Sequence, residues 1–170
     1  MAATATISAE EYFRLSFPER EAELDHGVLI ERSIPDYIHS YIQSRLAHLL
    51  IELFVSHPKY SVCSELRMRV ADDIVRLLDI CVLDYRPAPN TAPTQPPVVA
   101  IEIVSEDDRY SDMLRKLREY HEWGVPHVWL IDPRSEQLAV YGPKGFAQVE
   151  ALRLPEFNFS VTLKELLPPE

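Results

Sequence analysis

The sequence predicts a mixed α/β or α+β fold, a single domain over residues 1–170 built around one β-sheet. Three observations carry that prediction. Two apolar runs, Leu77–Leu83 (LLDICVL) and the stretch from Pro97 to Asp108 (PVVAIEIVSEDD), have the length and bounding residues of buried strands. Asp36–His57 repeats Ile38, Ile42, Leu46, Leu49 and Leu53 at spacings of three and four, the stripe of a long amphipathic helix. Val98–Ile131 reads as strand, helix, strand, which requires a right-handed crossover between parallel strands.

The elements follow in order. Ser8–Ser16 predicts a short helix, with Ser8 and Glu11 spaced as a capping box. Glu21–Arg32 predicts a hairpin turning at Asp25-His26-Gly27. Pro35 precedes the long helix and Pro58 closes it. Tyr60–Cys63 and Leu66–Val70 read as two strands, the second alternating with Arg67 and Arg69, and Asp72-Asp73 as a turn. Arg86–Pro97 holds five of the 14 prolines and reads as a surface loop. In Asp108–Trp123, Met113, Leu117 and Tyr120 line one helical face, and Gly124 then Pro126 end it. His127–Ile131, Gln137–Tyr141 and Phe146–Val149 read as strands, and Thr162–Leu167 as a terminal helix.

Composition removes several function classes. A net charge of −10 opposes tight, non-specific binding of nucleic acid by the whole surface. With only 4 glycines, a Gly-rich phosphate cradle is not expected, and P-loop, GxGxxG, GxSxG and HExxH motifs are missing from the sequence. No apolar run is long enough for a transmembrane helix, and the first residues lack the pattern of a signal peptide. Cys63 and Cys81 lack metal-ligand spacing and read as free thiols, giving an expected cytoplasmic location.

The chemistry concentrates in the two lone acids. A carboxylate inside an apolar strand is costly unless it is paired, hydrogen-bonded or holding a metal. Asp79 and Glu102 each occupy that position. On neighbouring strands they would lie within about 5 Å, where a divalent cation relieves their repulsion. The simpler reading gives each acid a local base, such as Arg76 for Asp79. Asp112 and Lys116 are spaced as a surface i, i+4 pair. On their own, His39 reads as a boundary histidine and Glu23 as a solvated strand residue.

These pieces in this order resemble the Uma-two family, a bacterial group of restriction-endonuclease-like proteins in the PD-(D/E)XK nuclease superfamily. The resemblance runs through AELDHGVLIER at Ala22–Arg32, His39, RLLDICVL at Arg76–Leu83, VVAIEIVSEDD at Val98–Asp108 and DMLRKLREYHEWGVPHVWLIDP at Asp112–Pro133. It implies a restriction-endonuclease-like core, a central mixed sheet flanked by helices, with Asp79 and Glu102 as ligands of Mg2+ or Mn2+. Glu23 would take the upstream acidic position and His39 an auxiliary one. Two residues depart from the superfamily pattern. Leu78 stands where proline precedes the motif aspartate, and Val104 stands where the motif lysine should be. Lys116, on the following helix, is the expected replacement.

The resulting expectation is a metal-dependent endonuclease hydrolysing DNA phosphodiester bonds, with Asp79, Glu102 and Lys116 as its catalytic set. A homodimer is expected, because many restriction-type nucleases pair to cut both strands. The alternative is a nuclease-like domain without catalysis that serves as a binding or assembly module, consistent with Val104 and the acidic charge.

Overall fold

The computed structural model of the protein describes residues 6–17 and 19–169. Its elements are α1 (Ala9–Tyr12), β1 (Ala22–Asp25), β2 (Val28–Glu31), α2 (Tyr37–Phe54), β3 (Ser61–Ala71), β4 (Ile74–Leu83) and β5 (Val99–Ile103). They continue with α3 (Tyr110–Trp123), β6 (His127–Asp132), β7 (Gln137–Gly142), β8 (Gly145–Val149), β9 (Ala151–Leu154), β10 (Phe159–Thr162) and α4 (Leu163–Leu166). The main sheet runs β2-β1-β4-β5-β6-β7-β8, with β3 against the other edge of β4. Every pairing is antiparallel except β5 with β6, the strands joined by the α3 crossover. The fold is the expected mixed α+β architecture, a central mixed sheet with helices on both faces.

Local chemistry explains the element ends. Ser8 and Glu11 form the capping box of α1. The β1–β2 hairpin closes with His26 at φ 46° and Gly27 at φ 80°, the left-handed pair that a two-residue turn needs. Asp36 caps α2 through the His39 amide. Gly124, at φ 106°, ends α3 in a left-handed cap.

Each sheet face carries its own apolar cluster. On one side, Ile42, Leu46, Leu50 and Phe54 of α2 pack on Ile80, Val82, Ile101, Ile103 and Trp129, with β9, β10 and α4 completing the layer. On the other side, Met113, Leu117 and Tyr120 of α3 pack on Leu78, Cys81, Ala100, Val128 and Leu130. The buried line of α2 therefore runs through His39, Ile42, Leu46, Leu50 and Phe54. Ile38, Leu49 and Leu53 flank it half-buried, so the predicted stripe is rotated by about one residue.

Three sequence expectations are corrected. The two strands predicted in 60–70 are one strand, β3, which passes through the polar pair Ser64-Glu65 with Glu65 at φ 51°. β9 and β10 form a separate two-stranded sheet that the sequence reading lacks. Arg76 does not pair with Asp79. Arg76 instead meets Asp25, Glu119 and Glu23, while the Asp79 carboxylate goes to Arg32 and His39.

The site arises from how β4 is shared. β3 occupies one edge of β4 along nearly its whole length. On the opposite edge β1 pairs at Val75 and β5 at Ile80–Val82. Between these contacts the edge is open, and side chains complete the backbone bonding there. Glu23 Oε1 accepts from the Leu77 amide at 3.2 Å, and Asp79 Oδ2 accepts from the Ile103 amide at 2.7 Å.

Candidate active site

The β4–β5 register, Ile80 opposite Ile101 and Cys81 opposite Ala100, puts Asp79 opposite Glu102 one step further along. The regular ladder stops at that step, where the Asp79 carboxylate takes the Ile103 amide. Alternation also breaks here: Leu78 faces the α3 cluster and Ile80 the α2 cluster. The two acids expected to converge from separate core strands are therefore neighbours, and both are buried.

Their environments differ. Asp79 is fully buried and holds three partners around its carboxylate. Arg32 Nη2 donates to Oδ1 at 2.5 Å, the Ile103 amide donates to Oδ2, and His39 Nε2 stands 3.5 Å from Oδ2. Burial alone would raise the Asp79 pKa, but His39, Arg32 and the Ile103 amide outweigh it and hold the group below its ordinary value. Glu102 accepts 2.6 Å from the Tyr120 hydroxyl. Burial dominates there, and Asp79 and Glu23 add repulsion, so its pKa is pushed up to about 7 although Lys116 pulls it down.

Glu23 and His39 are buried, not the solvated strand residue and boundary histidine that each suggests in isolation. Glu23 leaves β1 toward Lys116, whose ammonium lies 2.9 Å from Oε1 and 2.8 Å from Oε2. Burial would lower the Lys116 pKa, but Glu23 and Glu102 raise it above the ordinary value, so the group stays an ammonium. Lys116 does not pair with Asp112, which instead faces Arg115 at 3.5 Å. Val104 packs half-buried against the α3 cluster, so the cation acting on Glu102 is Lys116 of the helix, while Asp79 has Arg32.

His39 Nδ1 lies 2.8 Å from Ser105 Oγ. Its Nε2 is buried without a hydrogen-bond partner among the described residues, since 3.5 Å to Asp79 is beyond good geometry. Burial would lower the His39 pKa, yet the Asp79 carboxylate raises it. The ring nitrogen stands beside one carboxylate, that of Asp79, and the ligands of a divalent cation here would be the oxygens of Asp79 and Glu102.

A cleft of about 350 Å³ opens onto this region, with Glu23, Glu102, Arg32, Lys116 and Asp108 among its walls. Asp79 is not among the lining residues; Arg32, which lines the cleft, is bonded to it. Arg32, Ser105 and Tyr120 make contacts that the sequence reading missed. The available signal was the arginine ending the hairpin and the tyrosine on the α3 face that also carries Lys116.

A second acidic grouping adjoins the first. Ligand atoms of Asp25, His26 and Glu119 lie within 4.8 Å of one another. Arg76 reaches Asp25 and Glu119 at 2.7 Å each, and Arg115 reaches Asp25 at 2.6 Å. Those guanidiniums already supply the positive charge that a metal would bring.

The model of the Uma2 family, described as "Putative restriction endonuclease", matches residues 9–170. Among curated proteins, none matches the chain. Of solved structures, the crystal structure of "a putative nuclease belonging to DUF820" from Anabaena variabilis is similar, with a TM-score of 0.83 and 23% identity over 94% of this chain and 97% of that one. At that identity the likeness establishes the nuclease-like fold. With nearly its whole length matched by the family model, the chain belongs to the Uma2 family.

Proposed function

We propose that the cleft is the active site of a metal-dependent endonuclease that hydrolyses DNA phosphodiester bonds, and that the chain forms one such domain. The observation that carries this reading is the juxtaposition of Asp79 and Glu102 where the β4–β5 ladder ends, with the Lys116 ammonium, held by Glu23, close enough to act on Glu102. Asp79 and Glu102 would hold Mg2+ or Mn2+. Such a cation, when bound, polarises a phosphoryl oxygen and lowers the pKa of its water.

The chain's own groups divide the remaining work. Lys116 supplies fixed positive charge to the phosphorane-like transition state and takes the role of the lysine missing at Val104. Glu23 holds that ammonium with both carboxylate oxygens. Tyr120 orients Glu102, while His39, braced by Ser105, orients Asp79. Acidic side chains outnumber basic ones along the cleft, which suits transient, cation-assisted contact with DNA better than tight binding. The free thiols Cys63 and Cys81 suit a cytoplasmic setting. A homodimer would bring two such sites to the two strands.

One observation favours the second reading, a nuclease-like module without catalysis: Asp79 is already neutralised by Arg32. Calorimetric titration of Mn2+ into the wild type and Asp79→Ala, with plasmid nicking by both, separates the readings. The nuclease reading expects binding and nicking that disappear together in Asp79→Ala. A wild type that binds no Mn2+ at millimolar concentration would end it in favour of the module.

A further inference from the structure

We infer that Arg32 is a displaceable plug of the cation position, which yields Asp79 when a metal binds and turns into the cleft to contact the non-bridging oxygens of the DNA phosphodiester. This inference rests on the metal-dependent reading above and adds a catalytic residue to it.

Three observations carry it. Asp79 is 0% exposed and does not line the cleft, whereas Glu23, Glu102, Lys116 and Arg32 do. Among the side chains that line the cleft, the Arg32 guanidinium is the one bonded to the Asp79 carboxylate. That guanidinium is bonded at 2.5 Å to Asp79 Oδ1, the oxygen not taken by the Ile103 amide. A metal ligated by Asp79 through Oδ1 needs the same lone pairs, so Arg32 and the cation compete for one site. The second anchor of Arg32 is weak. Its Nη1 pairs at 3.0 Å with Glu65, a side chain 43% exposed, and ion pairs of that kind contribute little.

The backbone supports a moving side chain on a fixed base. Arg32 directly follows β2, and its amide is bonded to the Glu21 carbonyl at 2.9 Å. The cleft already borders the side chain, so leaving Asp79 requires rotation about side-chain bonds only. The guanidinium carries charge in both positions, and its planar fork suits a phosphate as well as it suits the two carboxylates. The Arg32 charge would thus stabilise Asp79 before metal entry and the substrate phosphate afterwards.

A purely structural ion pair predicts something different. Removing it would weaken metal binding and nicking together, because Asp79 would lose its orientation. A competing plug predicts opposite signs. Arg32→Gln should bind Mn2+ about tenfold more tightly than the wild type, the loss of one charge-assisted hydrogen bond to Asp79. Nicking at saturating Mn2+ should nevertheless fall by about a hundredfold or more. The experiment is calorimetry of Mn2+ alone into both proteins, followed by single-turnover plasmid nicking. Mn2+ affinity equal to or weaker than wild type in a folded Arg32→Gln would overturn the plug.

Crystals of the wild type soaked in Mn2+ provide a test that does not depend on the variant folding. The expected result is an anomalous peak at Asp79 with the Arg32 side chain turned away from it. A peak at Asp79 with Arg32 still bonded to Oδ1 would overturn the inference and leave the metal site standing. Failure of the wild type to bind Mn2+ in calorimetry would remove the metal-dependent reading itself, and Arg32 with it.

Discussion

The Tyr120 hydroxyl donates a 2.6 Å hydrogen bond to Glu102 Oε1 inside the α3 face of the core. Both groups are buried, and burial pushes the Tyr120 pKa well above its ordinary value, so the phenol keeps its proton and acts as a fixed donor. Tyr120→Phe removes that donor while preserving the ring. The expected cost is about 1–2 kcal/mol in urea unfolding, since a buried acceptor loses its partner. Mn2+ binding should weaken by about tenfold or more, as happens when a ligand loses its outer support. Unchanged unfolding and unchanged Mn2+ titration would remove Tyr120 from the site.

Glu102 also sets a pH dependence. Its ordinary value of 4.5 rises to about 7 in the folded chain, with burial the main cause. The folded state therefore binds the proton more tightly than the unfolded state. The stability it contributes is present below 4.5 and lost as pH rises through about 7. His39, also raised, loses stability over a neighbouring range, so the difference between the wild type and Glu102→Gln is the useful readout. Glu102→Gln should be more stable than the wild type at pH 8, on the order of 1–3 kcal/mol, and nearly equal at pH 5. Urea unfolding at both values checks this. A variant equally destabilised at both would mean that Glu102 is ionised throughout.

The same proton opposes metal binding. A ligand that must be deprotonated makes affinity depend on pH. Mn2+ affinity of the wild type should rise between pH 6 and pH 8, with proton release detected as a buffer-dependent heat in calorimetry. A pH-independent affinity with no buffer dependence would show that Glu102 is not a ligand.

Much of the candidate site was legible because lone charges in apolar runs are conspicuous. Asp79 and Glu102 each interrupt a strand buried on both faces, and the β-α-β order fixes one of those strands beside β6. What remained hidden depends on long-range geometry. Arg32 is 47 residues from Asp79, and an arginine at a hairpin end looks the same in sequence whether it is solvated or turned inward. Arg76 was itself a visible signal, a lone cation within Ile74–Leu83, but its partners Asp25, Glu119 and Glu23 lie far away in sequence. β9 and β10 were concealed because each has four residues, too few for alternation to register, and Pro155 and a left-handed Asn158 interrupt the stretch between them.

Lys116 should separate binding from catalysis. Its ammonium is held by Glu23, and Glu102 lies close enough to raise its pKa further, so it acts as charge and not as a base. Lys116→Ala is expected to retain a Mn2+ titration, because neither Asp79 nor Glu102 relies on the ammonium for a hydrogen bond. Nicking should fall by about 10²–10³, the usual effect of losing one transition-state donor. Nicking at the wild-type rate would return Lys116 to a structural partner of Glu23.

Arg76 gives the sharpest stability prediction. Its side chain is 1% exposed and contacts Asp25 and Glu119 at 2.7 Å and Glu23 at 3.3 Å. Arg76→Met keeps much of the volume and removes the charge. Arg115 remains beside Asp25 and Lys116 beside Glu23, so these two acids retain one cation each. Glu119 keeps only a 3.5 Å contact with Arg115. Breaking a buried pair from one side leaves carboxylates uncompensated, at a cost of about 3–5 kcal/mol. Added salt should recover little of it, because buried pairs are poorly screened. Replacing Glu119 by Gln in the same chain should recover part of the loss, since the acid that depends most on Arg76 is then neutral. Urea unfolding of the single and double variants measures both effects. A single variant within about 1 kcal/mol of the wild type would mean that the acids around Arg76 take up protons or water without strain.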